Sequence, residues 1–225
     1  MALSTYAELK TSIANWLNRS DLTTEISDDF IKLVEADFNS KLRIGKMIST
    51  SASFTIDSEE ESVPTGFLQV RDFYILSGGT KYALRYMTPP QMDEIKGSSS
   101  TGMPTVYTIL GEKFRFAPKP SSTYTANINF YKTFDSLSDS NTSNYILTNH
   151  PQIYLYGSLY HAAQFLGGVE PQKVQAWQQN YVTALERVER NDREDQYSGS
   201  PLQIRSDTSV AAPFQSHNKV FNNNS

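Results

Sequence analysis

The spacing of apolar residues changes twice along this chain, and that double change limits its fold more than any other feature. Up to Leu42 apolar residues recur at helical intervals, from Met47 to about Phe134 they alternate with polar ones, and from His150 helical spacing returns. A helical stripe and a strand face each need a second surface to cover them. The pattern predicts an α+β fold: a helical hairpin and a C-terminal helix pair form an α-helical bundle with an inserted antiparallel β-sheet domain, followed by a C-terminal stretch that reads either as an extended C-terminal arm or as a disordered tail. The corresponding boundaries are residues 1–46, 47–135, 136–196 and 197–225.

In the first block, Thr5 and Glu8 have the capping-box spacing, and Leu9, Ile13 and Leu17 follow at helical intervals. That helix is expected to stop near Asn18, Arg19 and Ser20. Thr24 or Ser27 is then the expected cap of a second helix carrying Phe30, Val34, Phe38 and Leu42 on one side.

In the second block, Ile48, Ala52, Phe54 and Ile56 fall on one face of a strand, and the acidic run from Asp57 to Glu61 marks its exposed end. Val70–Leu76 and Tyr82–Met87 flank Ser77, Gly78, Gly79 and Thr80, a turn composition that joins antiparallel partners through positive φ. Thr88 before Pro89 predicts a short helix to Lys96, with a loop from Gly97 to Met103. Pro104–Leu110, Phe114–Ala117 and Tyr124–Phe134 are further strands, and Asp135–Asn144 is a polar connection.

In the third block, Asn149 is the expected cap of a helix from His150 to Leu166, stopped by Gly167 and Gly168. Gly157, Ala162 and Ala163 allow another helix to approach closely. Pro171 opens a longer helix with Val174, Trp177, Tyr181, Leu185 and Val188 on its stripe. Beyond Val188 it is charged throughout and is expected to leave the core as a solvated rod. Residues from Tyr197 onward, rich in Ser, Asn, Gln and Pro, cannot bury a core. They read either as a disordered tail or as an arm that orders on a partner, with Leu202, Ile204, Val210, Phe214, Val220 and Phe221 as anchors.

Composition removes several classes of function. Without cysteine there is no disulfide, thiolate zinc site or cysteine nucleophile. A formal charge of -4 and a pI near 5.4 argue against phosphate-backbone binding. Neither a signal-peptide pattern at Met1–Lys10 nor an apolar run of membrane-spanning length is present, so no membrane association is expected.

Catalytic patterns fail on inspection. His150 and His161 can share a helix face, but no carboxylate joins them, and a metal site needs three or four ligands. Gly157-Ser158-Leu159-Tyr160 lacks the second glycine of a nucleophile elbow. Glu35 and Asp37, two apart, point to different sides of a helix and read as solvated charges. Phosphate-cradling glycine motifs are missing, and Gly78-Gly79 is a turn. The expectation is therefore no enzyme, no catalytic residues, no metal and no cofactor.

Aromatic residues make up 12% of the chain. Tyr154, Tyr156 and Tyr160 span more than one helix face, so at least one should face a neighbour. With Trp16 and Trp177 they are the candidate subunit contacts.

Six segments in register resemble phage head-to-tail adaptor (connector) proteins of short-tailed and related phages. They are Leu3–Leu9, Phe30–Asn39, Val63–Leu68, Tyr86–Met92, Gly102–Ile109 with Phe114–Pro118, and Asn144–Pro151 leading into Tyr154–Gly157. The resemblance implies a structural virion protein at the portal–tail junction, assembled in the host bacterial cytoplasm. It would form a ring of about twelve copies. Implied partners are the portal protein, copies of itself and a downstream tail or nozzle protein, with double-stranded DNA passing through during genome retention and ejection without sequence-specific binding. It also implies that the C-terminal arm reaches the portal. On this reading Glu59, Glu60 and Glu61 are candidates for an acidic channel lining that lets DNA slide. The alternatives are a tail-associated host-surface binding module and a virion-associated wall hydrolase.

Overall fold

The computed structural model describes residues 3–96 and 101–197. Helix α1 (Tyr6–Leu17) begins at Thr5, whose Oγ1 accepts from the Glu8 N–H while the Glu8 carboxylate accepts from the Thr5 N–H at 3.1 Å. A cap of this kind is worth about 1 kcal/mol. Asn18, left-handed at φ 51°, closes the helix.

The second helix departs from expectation at its start. Helix α2 (Thr23–Glu25), a π turn at Ile26–Phe30 and α3 (Ile31–Lys41) form one helical run, entered from Leu22 without a side-chain cap. Ser27 lies inside this run and donates to the carbonyls of Thr23 and Thr24, so neither Thr24 nor Ser27 is the cap. The run has already started at Thr23, so both residues lie within it; its π turn adds one residue, and the consecutive Phe30 and Ile31, each 1% exposed, both lie in the core.

After a 3-10 turn at Gly45–Met47, strands β1 (Ile48–Ile56), β2 (Glu60–Ser62), β3 (Phe67–Ser77), β4 (Thr80–Ala83) and β5 (Arg85–Tyr86) lead to α4 (Pro89–Lys96). Then follow β6 (Thr101–Gly102), β7 (Val106–Leu110), β8 (Lys113–Ala117), β9 (Lys119–Pro120) and β10 (Tyr124–Lys132). One sheet has the order β1-β10-β3-β4 and is antiparallel throughout; a second has the order β2-β8-β7-β5.

Gly78 and Gly79, at φ 56° and 79°, make the expected hairpin turn. The strand after it is shorter than expected, because Leu84 is buried between the sheets and β5 crosses to pair with β7 in parallel. The sheets are therefore not purely antiparallel. A second parallel pair, β6–β9, occupies part of what reads as loop, and Gly97 to Ser100 lie outside the described residues.

The two sheets face each other over a phenylalanine core. Phe114 is fully buried, with the rings of Phe54, Phe67, Phe73 and Tyr107 between 5.3 and 6.1 Å away. Leu68, Tyr131 and Phe134 carry the packing from the sheets into the helical core.

The third block begins with α5 (Tyr145–Asn149), capped by Asn144, which accepts from the Leu147 N–H at 2.9 Å. Asn149 is not the cap expected there; its amide donates to the Tyr145 carbonyl. The backbone turns at His150, and α6 (Pro151–Leu166) starts with a proline that has no N–H to continue α5. Gly167 at φ 61° ends it, and α7 (Pro171–Tyr197) packs back alongside. Helix α6 is the central helix: a Cβ at Gly157 would stand 2.7 Å from Val34 Cγ2 and 3.0 Å from Tyr181 Cε2.

Candidate assembly surfaces

Where α1 stops beside the α6–α7 turn, exposed and half-buried apolar side chains gather at the surface. Trp16 is 52% exposed and meets Tyr156 edge-on at 6.1 Å. A groove of about 400 Å³ there is lined by Trp16, Leu17, Leu166, Val169, Lys173 and Trp177. The fold thus brings together the two tryptophans that lie far apart in sequence, although Trp177 is mostly buried in the bundle. Phe165, 58% exposed, rests against Phe30 on the adjoining surface. Sequence reading passed over Phe165, but helical spacing already set it off the stripe formed by Leu155, Leu159, Ala162 and Leu166.

Of the three tyrosines on α6, Tyr156 and Tyr160 are half-buried at the surface, whereas Tyr154 has no exposed area. Tyr154 faces the core, where its hydroxyl donates to Glu35 at 3.0 Å. Tyr82 and Tyr86 are exposed on the sheet domain, with Tyr86 edge-on to Tyr107.

The acidic run sits at the edge of the second sheet. Glu60 pairs with Arg115 at 2.6 Å and Lys113 at 3.2 Å across β2 and β8. Glu61 accepts from the N–H groups of Asp57 and Ser58, and its hydrogen bond and negative charge raise the Asp57 carboxyl above its ordinary value. Glu59 is half-buried, and its carbonyl accepts from the Phe116 N–H. The charge of Glu60 is thus matched by two cations across the strand pair.

Glu35 and Asp37 do point to different sides of α3, but they are not simple solvated charges. Glu35, 5% exposed, accepts from the Leu137 N–H at 2.8 Å as well as from Tyr154. Asp37 accepts from the Tyr181 hydroxyl at 2.6 Å and pairs with Lys41 at 2.7 Å. Burial alone would raise Asp37, but the Lys41 and Tyr181 hydrogen bonds outweigh it and hold its carboxyl below the ordinary value. Burial raises both tyrosine hydroxyls, and the neighbouring carboxylates push them further, so they stay protonated donors. Each carboxylate is hydrogen-bonded directly to its tyrosine, so the two pairs clamp α3 to α6 and to α7.

His150 and His161 are both held below the ordinary histidine value by burial. Among the described residues no group of three His, Cys, Asp or Glu could hold a metal, and no helix is long and apolar enough to cross a membrane. The expected charged rod at the end of α7 is only partly free, since Asp192 accepts from the Gly45 N–H at 2.7 Å. The six anchors from Leu202 to Phe221 lie outside the described residues.

A family model described as SU10 adaptor protein matches residues 4–205. No curated protein matches. The family match covers both helical blocks, the sheets, and Leu202 and Ile204; it stops before Val210, Phe214, Val220 and Phe221.

Proposed function

The chain belongs to the SU10 adaptor protein family, and on that premise we propose that its copies close into a ring beneath the phage portal and present a platform to the next tail component. Its role is structural, joining head to tail in the virion. The reach of the family match across nearly all of the folded chain carries this reading. A ring of about twelve copies puts a heterologous interface on every subunit, with one surface receiving its neighbour and another docking onto the next copy. The groove between Trp16 and Trp177, with Tyr156 against Trp16, is the receiving surface for a neighbouring copy, and Tyr160 on the same helix as Tyr156 is a further proposed contact. Trp16, a large apolar side chain left 52% exposed, favours such a partner.

The chain after α7 is the portal-binding arm, with Leu202, Ile204, Val210, Phe214, Val220 and Phe221 as its anchors. Ordering the arm on a preformed portal ring delays assembly until the portal exists, and repeated identical contacts then add through avidity. DNA passes through the ring ungripped, as a net charge of -4 favours, with Glu59, Glu60 and Glu61 as the proposed lining.

The test is to mix the purified chain with portal oligomer and image the product. Closed rings on the portal are expected, and deletion of residues 197–225 should abolish capture while leaving the thermal transition of the domain in place. A chain that stays monomeric and indifferent to portal refutes the reading.

A further inference from the structure

Val188, 2% exposed, is the last buried side chain of α7 among the described residues, yet the helix runs on to Tyr197. Between residues 189 and 196 only Glu189 and Asp192 are even half-buried. Apolar packing therefore does not hold these final turns in place. Asp192 does so instead: its Oδ1 accepts from the Gly45 N–H at 2.7 Å, and its Oδ2 accepts from Gln196 Nε2 at 2.8 Å.

The other side of this contact is anchored. Gly45 opens the 3-10 turn between α3 and β1, where Leu42, Ile44 and Met47 are at most 3% exposed. Arg43 Nη1 donates to the Asn39 carbonyl in the last turn of α3 at 2.9 Å and to the Leu42 carbonyl just beyond it at 2.6 Å. A Cβ at position 45 would lie 3.1 Å from Asp192 Oδ1, a contact so tight that the carboxylate would have to yield by a few tenths of an ångström. Lys41, Arg43, Glu189 and Arg193 line the cleft of about 200 Å³ between the two elements.

We infer that Asp192 is a latch that pins the end of α7 to the corner at Gly45 and so fixes the direction in which the chain leaves the bundle. Each helical residue advances about 1.5 Å, so a small tilt beginning at Val188 moves the exit point by several ångströms. Under the adaptor reading, on which only this consequence rests, the latch aims the arm at the portal before contact.

Hydrogen exchange on the full chain tests the latch without any partner. Asp192→Ala should speed exchange of the amides in residues 190–196 about tenfold, the effect of losing one charge-assisted hydrogen bond, while Tyr181–Val188 keep their protection. Gly45→Pro removes the donor from the other side. Ile44 is already extended at φ -110°, ψ 158°, a conformation that a following proline accepts. It should produce the same acceleration, and the double variant no more than either single one. Glu194→Ala, on the exposed face, is the control.

If both variants exchange like Glu194→Ala, the latch is overturned. Portal capture measured on the same samples reports separately on the adaptor reading. Failure of capture in every form, wild type included, would sink that reading and leave a latch seen by exchange standing.

Discussion

Glu35 on α3 accepts a hydrogen bond at 3.0 Å from the hydroxyl of Tyr154 on α6. The same carboxylate oxygen accepts from the N–H of Leu137, in the connection that returns from the sheets, and Asn144 Nδ2 donates to the Tyr154 hydroxyl at 2.6 Å. One buried side chain therefore ties together two helices and the link between sheets and bundle.

Removing one member of that network should leave the others unsatisfied. Tyr154→Phe is expected to cost about 1–3 kcal/mol in chemical denaturation, and Glu35→Ala at least as much, since it strands two donors. In a double-mutant cycle the losses should fall short of additive. Strict additivity would show that the two side chains act independently.

Close packing at Gly157 gives a second expectation. Gly157→Ala places a methyl against the buried, β-branched Val34 and against Tyr181, and should destabilise the protein by about 1–3 kcal/mol. Adding Val34→Ala should recover part of the loss, because it removes the nearest clashing atom. Denaturation midpoints of the three variants provide the comparison.

The pH dependence follows from two half-buried histidines, His150 and His161. Burial lowers both, helped at His150 by the charge of Arg187; at His161 the attraction of Asp37 opposes burial, and Lys41 adds to the lowering. Unfolded imidazoles take up protons near pH 6.5, above where the folded ones do, so the unfolded chain binds more protons in that interval. Stability should therefore fall as pH drops below about 6.5, then level off once the folded histidines are also protonated. A further loss is expected below about pH 4, where the depressed Asp37 gives up its own contribution. Denaturation of His150→Gln and His161→Gln across pH 5–7.5 should show a flatter slope than wild type.

Surface aromatics should separate assembly from folding. Trp16→Ala and Phe165→Ala, both more than half exposed, are expected to lower stability by less than about 1 kcal/mol. Under the proposed ring, Trp16→Ala should nevertheless reduce ring formation on portal, scored by particle imaging. Full rings from a stable Trp16→Ala chain would move the subunit interface elsewhere.

Much of the architecture was legible because its signals are local. The capping box at Thr5 and Glu8, the turn at Gly78-Gly79, proline at the start of α4 and Gly167 at the end of α6 each act within a few residues. The same locality misplaced two caps: Thr24 and Ser27 fall inside a helical run that has already begun, and Asn149 has the right chemistry but is the last residue of α5, where its amide donates back to Tyr145, while Asn144 just ahead of that helix caps it.

The sequence alone determined the order of helical and sheet blocks, the class of fold, and the resemblance that the family match supports, since periodicity and motif spacing depend on neighbours along the chain. Tertiary structure alone decided that Glu35 is buried rather than solvated, that β5 leaves its hairpin for the other sheet, and that Trp16 and Trp177 share a groove. Such outcomes depend on partners distant in sequence, Leu137 lying 102 residues beyond Glu35. Desolvation is set by what packs in three dimensions, and no local pattern of residues encodes it.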